Sequence, residues 1–229
     1  MTDKRYAIYW APPADSALSR YGAAWLGRDA ESGNSVAPLL SEADQALVAE
    51  PRRYGLHATL KPPFALAAGK RVEALEEALL GFAAARPAVR LGRLQVANLK
   101  GFLALCTPSR VPALHDLADA CVREFDAFRA PASEAELAKR RKAGLSPAQE
   151  AHLTRWGYPY VFDQFTLHVT FTQRLDDATR ARLQARLEAD LAGILAAEFV
   201  VTDLALFEEP APGAPFTLRR RFKMRPTDS

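Results

Sequence analysis

Apolar residues recur along this chain in two rhythms, and each change of rhythm marks an element. Residues 6–10, Tyr-Ala-Ile-Tyr-Trp, form an apolar run closed by Pro12-Pro13 and predict an opening strand. Leu18, Tyr21, Trp25 and Leu26 then fall at helical spacing. Ser41 predicts the cap of a short helix ending before Pro51, and residues 55–61 predict a strand stopped by Pro62-Pro63. A helix over 72–85 would bury Leu75, Leu79 and Phe82. Strands over 89–99 and 102–107 follow, with Lys100-Gly101 as a hairpin turn between them. A helix over 112–128 turns Leu114, Leu117, Cys121 and Phe125 inward.

Next comes a helical pair. Ser133 with Glu136 makes one capping box, Gly144 closes that helix, and Ser146, Pro147 and Gln149 open the next. Residues 165–172 predict a strand. Asp176 and Asp177 start a long helix with Leu183, Leu187, Leu191 and Ile194 on one stripe. Two final strands, 199–207 and 216–224, flank a Pro/Gly loop.

Neighbouring strands that pair without a helix between them predict antiparallel sheets with helices outside, an α+β fold. The halves also rhyme: in each, a strand carrying His-x-Thr leads into a helix and then a strand pair. Internal duplication accounts for this and predicts a single two-lobed, pseudo-symmetric domain over 1–229. One lobe would lie around 55–107 and the other around 165–224, with a helical insertion at about 132–157.

Composition narrows the function classes. The chain has 229 residues, 49% hydrophobic and 25% charged, with net charge +3 and pI about 8.9. That mild excess suits an anionic substrate without requiring a nucleic acid. Cys106 and Cys121 have no C-x-x-C spacing and read as buried reduced thiols. No secretory h-region opens the chain and no apolar stretch nears the roughly 20 residues of a membrane helix, so a cytoplasmic protein with no membrane partner is expected.

Of the four histidines, His57, His152 and His168 have Thr two residues later. On a strand, i and i+2 share a face. His57, Thr59 and Lys61 would therefore line one face, with Ala58 and Leu60 behind. Thr166, His168, Thr170 and Thr172 would line another, with Leu167, Val169 and Phe171 behind. His152 with Thr154 falls in a helical pattern, where i and i+2 diverge, and His115 sits at a helix edge; neither is given a role.

Two such pairs suit the opening of a cyclic phosphodiester. One neutral imidazole takes a proton from the attacking water, a protonated one supplies the departing oxygen, and threonine hydroxyls hold the phosphoryl oxygens. The residues leave open which histidine is base and which is acid. The alternative for each pair is a hydrogen-bonded structural histidine beside a strand-favouring threonine.

Gly-Leu-His57-Ala-Thr59-Leu and Phe-Thr-Leu-His168-Val-Thr170-Phe resemble the paired motifs of the 2H phosphoesterase superfamily. The stretches Arg53 to Phe64 and Arg155 to Phe162 resemble its branch associated with phosphonate-utilisation operons. The resemblance implies a LigT-like fold whose antiparallel sheets line a central groove, and action on 2′,3′-cyclic or related phosphodiesters. The branch suggests a ribosyl cyclic phosphate, 5-phosphoribosyl 1,2-cyclic phosphate, as a small phosphorylated substrate.

Around that core, Lys61 is a candidate for a second phosphate, Arg155 for phosphate, and Tyr158 and Tyr160 for a sugar or base. Each also has a plain alternative, a solvated strand end or a loop pinned by Trp156 and prolines. No cofactor or metal is expected. Gly69-Lys70 lacks the rest of a Walker P-loop, and Gly-x-Ser-x-Gly, His-Glu-x-x-His and Cys/His clusters are absent. An RNA- or nucleotide-binding module, or an RNA-end-processing relative, is the rival reading. It would use the basic runs 139–142 and 219–225, in which alternation would put Arg219 and Arg221 on one side and Arg220 on the other.

Overall fold

The structure is a computed structural model that describes residues 4–227. In chain order it contains β1 (Arg5–Trp10), α1 (Ala17–Leu26), α2 (Ala49–Tyr54), β2 (Ala58–Phe64), α3 (Val72–Ala84), β3 (Val89–Gly92), β4 (Gln95–Leu99) and β5 (Phe102–Cys106). These are followed by α4 (Pro112–Glu124), α5 (Glu134–Arg141), α6 (Pro147–Trp156), β6 (Val169–Thr170), α7 (Asp177–Leu195), β7 (Phe199–Val201), β8 (Asp203–Glu209) and β9 (Thr217–Lys223). The fold is α+β with antiparallel pairing throughout its two sheets.

Seven strands form one sheet in the order β4-β5-β6-β2-β1-β8-β9, and β3 pairs with β7 in a small second sheet. The two motif strands, β2 and β6, are neighbours at its centre. Their flanks are exchanged. The pair β4–β5, which follows the first motif in sequence, lies beside β6, while β8–β9 lie beyond β1 on the side of β2. Segments 55–107 and 165–224 are thus interleaved in space rather than set side by side as separate lobes.

One face of the sheet carries the large core. Tyr6, Ile8 and Trp10 of β1 and Leu204 and Leu206 of β8 pack there with Trp25 of α1, Leu75 and Leu79 of α3, Leu114 of α4 and Leu183 and Leu187 of α7. The intervening residues Ala7, Tyr9, Ala205 and Phe207 form a smaller cluster with Phe216 on the other face. β1 is buried on both sides, which is why it reads as an unbroken apolar run. The candidate groove opens on the face of Tyr9.

The start and stop signals hold at several points. Ser133 and Ser146 both make capping boxes, Asp176 caps α7, and Lys100 (φ 52°) with Gly101 (φ 101°) forms the hairpin turn. Others give way to pairing. Pro51 sits inside the first turn of α2, where its missing N–H costs nothing. The run 199–207 divides at Thr202 between two sheets. Residues 165–172 supply only a two-residue strand, because the Thr166 carbonyl accepts from the His168 ring instead of a neighbouring strand. In β9 the register slips at Arg219, so Arg219 and Arg220 both reach Glu76 instead of alternating.

The largest departure is in β2. Against β1, Tyr9 pairs with Thr59, Ile8 with Lys61 and Tyr6 with Phe64, so Leu60 is one extra residue and Pro62-Pro63 share a single opposite position. Such bulges are where a sheet accepts prolines, and the strand runs through them instead of stopping. They also swing Lys61 off the groove. Its side chain is buried (2% exposed) and its Nζ donates to the Val122 carbonyl at 3.0 Å in the last turn of α4, with Asp126 at 3.8 Å.

Lys61 is therefore not a substrate residue. It is a cation closing the carbonyl end of a helix, and burial pushes its ammonium down to about 8 despite Asp126. Lys61→Met leaves that carbonyl without its donor. The expected cost is about 1–3 kcal/mol, read as a lower denaturation midpoint, with activity per folded molecule retained.

Candidate active site

Ala58 of β2 pairs with Val169 of β6, and both side chains are buried in the large core. Continuing that register one residue either way sets His57 opposite Thr170 and Thr59 opposite His168, all four on the other face. Directly opposed residues of an antiparallel pair have Cβ atoms about 4.5–5.5 Å apart, and diagonal ones about 7–8 Å. The two imidazoles occupy one diagonal and the two hydroxyls the other.

Each ring is fixed in the same way. His57 Nδ1 lies 2.8 Å from the Gly55 carbonyl, and His168 Nδ1 lies 2.8 Å from the Thr166 carbonyl. A carbonyl only accepts, so Nδ1 carries the proton in both rings and Nε2 is left as the free nitrogen. Gly55 makes its share of this geometry available: at φ 75° a Cβ would be strained, and it would stand 2.2 Å from the Ala30 Cβ.

The surroundings of the two rings differ. His57 stacks on Tyr9 at 4.0 Å between centroids, with Tyr54 at 5.8 Å and Phe207 at 6.4 Å. This desolvation drives its pKa down to about 4, and the proximity of His168 adds to the fall. His168 has Phe102 edge-on at 6.0 Å, and its pKa is also lowered by desolvation.

Two adjoining cavities meet at this centre. The larger, about 660 Å³, contains His57, Thr59 and Thr170 with Arg5, Tyr54, Arg140 and Arg174. The smaller, about 320 Å³, contains Thr59, Thr166 and His168 and is walled by Phe162, Phe165, Tyr158 and Tyr160. Thr59, Phe102, Tyr158 and Arg174 belong to both and mark the junction. The expected His57, Thr59, His168, Thr170, Tyr158 and Tyr160 are thus brought together.

Arg155 is not. It projects from the end of α6, bonds Asp126 at 3.1 Å and lies over Trp156 at 4.3 Å, outside both cavities. The helix turns it away, and Gly157 (φ 73°) redirects the chain so that Tyr158 enters the groove.

Sequence patterning passed over several groove residues. Arg174 continues the i+2 stripe of His168, Thr170 and Thr172, and that stripe was its available signal. It makes no ion pair with another described residue. Tyr9 was hidden in an apolar strand. Arg5 and Arg140 come from distant segments with no local mark. His152, on α6, bonds Asp163 at 2.7 Å and stays out of the site. Among the described residues no three His, Cys, Asp or Glu side chains gather as a metal would require, and no helix is long and apolar enough to cross a membrane.

Residues 59–217 match the family model described as "Protein of unknown function (DUF1045)". Two curated relatives are both called ribose 1,5-bisphosphate phosphokinase PhnN. The one from Janthinobacterium sp. (strain Marseille) is 39% identical over 93% of this chain and 49% of its own length. The one from Laribacter hongkongensis (strain HLHK9) is 44% identical over 94% of this chain and 51% of its own. The chain spans about half the length of the curated relatives it matches. Among solved structures, E. coli LigT complexed with 3′-AMP is 15% identical, with a TM-score of 0.46 over 96% of this chain and 98% of that one.

Proposed function

Starting from a chain that belongs to DUF1045, a family of proteins of unknown function, we propose that it is a metal-independent phosphoesterase that opens a cyclic phosphodiester by acid–base catalysis between two histidines. The observation that carries this is the β2–β6 register, which gathers His57, Thr59, His168 and Thr170 into one patch with both Nδ1 atoms already committed.

Magnitudes divide the roles. A group titrating at about 4 is protonated in roughly one molecule in a thousand at pH 7. His57 would be a poor acid but stands ready as a base. Its Nε2 takes the proton of a water whose oxygen bonds to phosphorus. The P–O bond to the sugar breaks on the far side, and the departing oxygen takes the proton from His168 Nε2, whose Nδ1–H stays on the Thr166 carbonyl. Thr59 and Thr170 donate to the equatorial oxygens, and Arg174 at the junction offsets the charge that builds there.

The relatives' name supports a ribosyl phosphate. This chain has no Walker P-loop, so the kinase chemistry in that name fits the half of the relatives it does not match. Opening 5-phosphoribosyl 1,2-cyclic phosphate at the bond from phosphorus to O2 yields ribose 1,5-bisphosphate, the compound in the name. The RNA reading draws less support: Arg219, Arg220 and Arg221 are engaged by Glu76, Glu208, Asp203 and Glu31.

Phosphorus NMR with EDTA present tests the proposal. The cyclic resonance is expected to give way to a phosphomonoester. An unchanged spectrum while another cyclic phosphate is opened would eliminate this sugar, and inertness toward every cyclic phosphate would end the proposal. Because the base must be neutral and the acid protonated, kcat/KM should rise through about pH 4 and fall tenfold per unit above the lowered pKa of His168, with its maximum on the acid side of 6.5.

A further inference from the structure

The larger cavity holds more positive charge than the reacting phosphate needs. A phosphodiester carries one negative charge, and the four central side chains with Arg174 already surround it. Arg5 and Arg140 line the larger cavity alone, away from the junction. Glu50 is the carboxylate in that lining.

Neither arginine is used up by the fold. Arg5 is fixed through Nε by the buried Glu209, which it shares with Arg53, so one carboxylate faces two guanidinium groups. The terminal nitrogens of Arg5 make no hydrogen bond to another described residue. Arg140 stands in the last turn of α5, and its Cζ lies 4.7 Å over the Tyr158 ring. Its neighbour Arg141 is paired to Glu150, but Arg140 has no carboxylate partner among the described residues. A guanidinium held on an aromatic face, with its donors unspent, is organised for an anion.

We propose that Arg140, carried in by the helical insertion, forms with Arg5 a subsite for a second, non-reacting phosphate of the substrate. This rests on the cyclic phosphodiesterase reading and gives it a substrate class: a sugar bearing both a cyclic phosphate and a remote phosphomonoester. A monoester near two negative charges suits two guanidinium forks better than a carboxylate or a hydroxyl would. The insertion is then a specificity element, since it supplies both Arg140 and the segment leading to Tyr158.

The test compares ribose 1,2-cyclic phosphate with its 5-phosphate ester, and titrates ribose 5-phosphate by calorimetry. Wild type should favour the 5-phosphorylated ester by about a hundredfold in kcat/KM, and Arg140→Ala should shrink that ratio at least about tenfold, chiefly through KM. Arg140→Lys, which keeps the charge without the fork, should fall between. Ribose 5-phosphate should bind wild type and lose about tenfold in affinity with Arg140→Ala, whose unfolding midpoint checks its integrity. Equal kcat/KM for the two esters, or a ratio and an affinity unmoved in Arg140→Ala, overturns the subsite while leaving the phosphodiesterase intact. If neither ester is opened but ribose 5-phosphate binding still depends on Arg140, the subsite stands and the reaction is what fails.

Discussion

His57→Ala is expected to lower kcat about 10³- to 10⁴-fold with the protein still folded, the upper range for loss of a positioned general base. The other titratable side chains of the larger cavity are poor substitutes. Burial holds the Tyr9 phenol well above its ordinary pKa, so it stays protonated, and Glu50 is no part of the β2–β6 patch. His168→Ala should cost a similar factor, and the double variant little more than either alone, because the two groups serve one step. Leaving-group chemistry separates them. A nitrophenyl phosphodiester departs without a proton, so His168→Ala should regain most of its activity on it and His57→Ala should not. Equal rescue of both variants would reverse or abolish the assignment.

The second large effect concerns stability. Glu209 is fully buried and is the shared partner of Arg5 and Arg53, with the Gly213 N–H donating to it at 3.0 Å. Burial alone would raise its pKa, but the bonds from Arg5 and Arg53 outweigh this and hold it below the usual carboxylate value. Glu209→Ala takes the shared carboxylate from two partly exposed guanidinium groups, a loss of about 1.5–3 kcal/mol for hydrogen bonds to a charged group. For a chain this size that lowers Tm by roughly 5–10 °C. The pH dependence has a fixed sign. A depressed carboxylate contributes stability above its unfolded pKa and loses it as pH falls through the folded one, so wild type should weaken below about pH 4.5. Glu209→Ala should lose part of that acid slope. A wild-type midpoint in the variant, by calorimetry at neutral pH, would show that Arg5 and Arg53 do not depend on this carboxylate.

The four central residues could be seen in the sequence because one local rule, the two-residue repeat of a strand, places them. His57, Thr59, His168 and Thr170 stay within a residue or two of the pairing point at Ala58 and Val169, before any irregularity can accumulate. Lys61 lies one step past a bulge that exists only in relation to β1, so alternation placed it on the wrong face. Arg155 was expected on phosphate because its segment precedes the second motif, whereas it ends a helix that turns it toward Asp126. The α+β class followed from neighbouring strand runs, but the exchange of their flanks did not, since nothing local distinguishes pairing with β2 from pairing with β6. The same limit applies to the groove: Arg5 and Arg140 come from segments far apart in sequence, and only assembly of the whole fold brings them into one cavity with His57.

That exchange also bears on the order in which the molecule can be made. β1 is made long before its partner β8, which begins at Asp203 and pairs Glu209 with Arg5. At about 5–20 residues per second, roughly 10–40 s separate the synthesis of the two strands. Throughout that interval a strand apolar on both faces waits without one of its neighbours, and contacts so distant along the chain are slow to close. A nascent chain of this protein is therefore at its most vulnerable to aggregation and to chaperone capture until β8 has emerged.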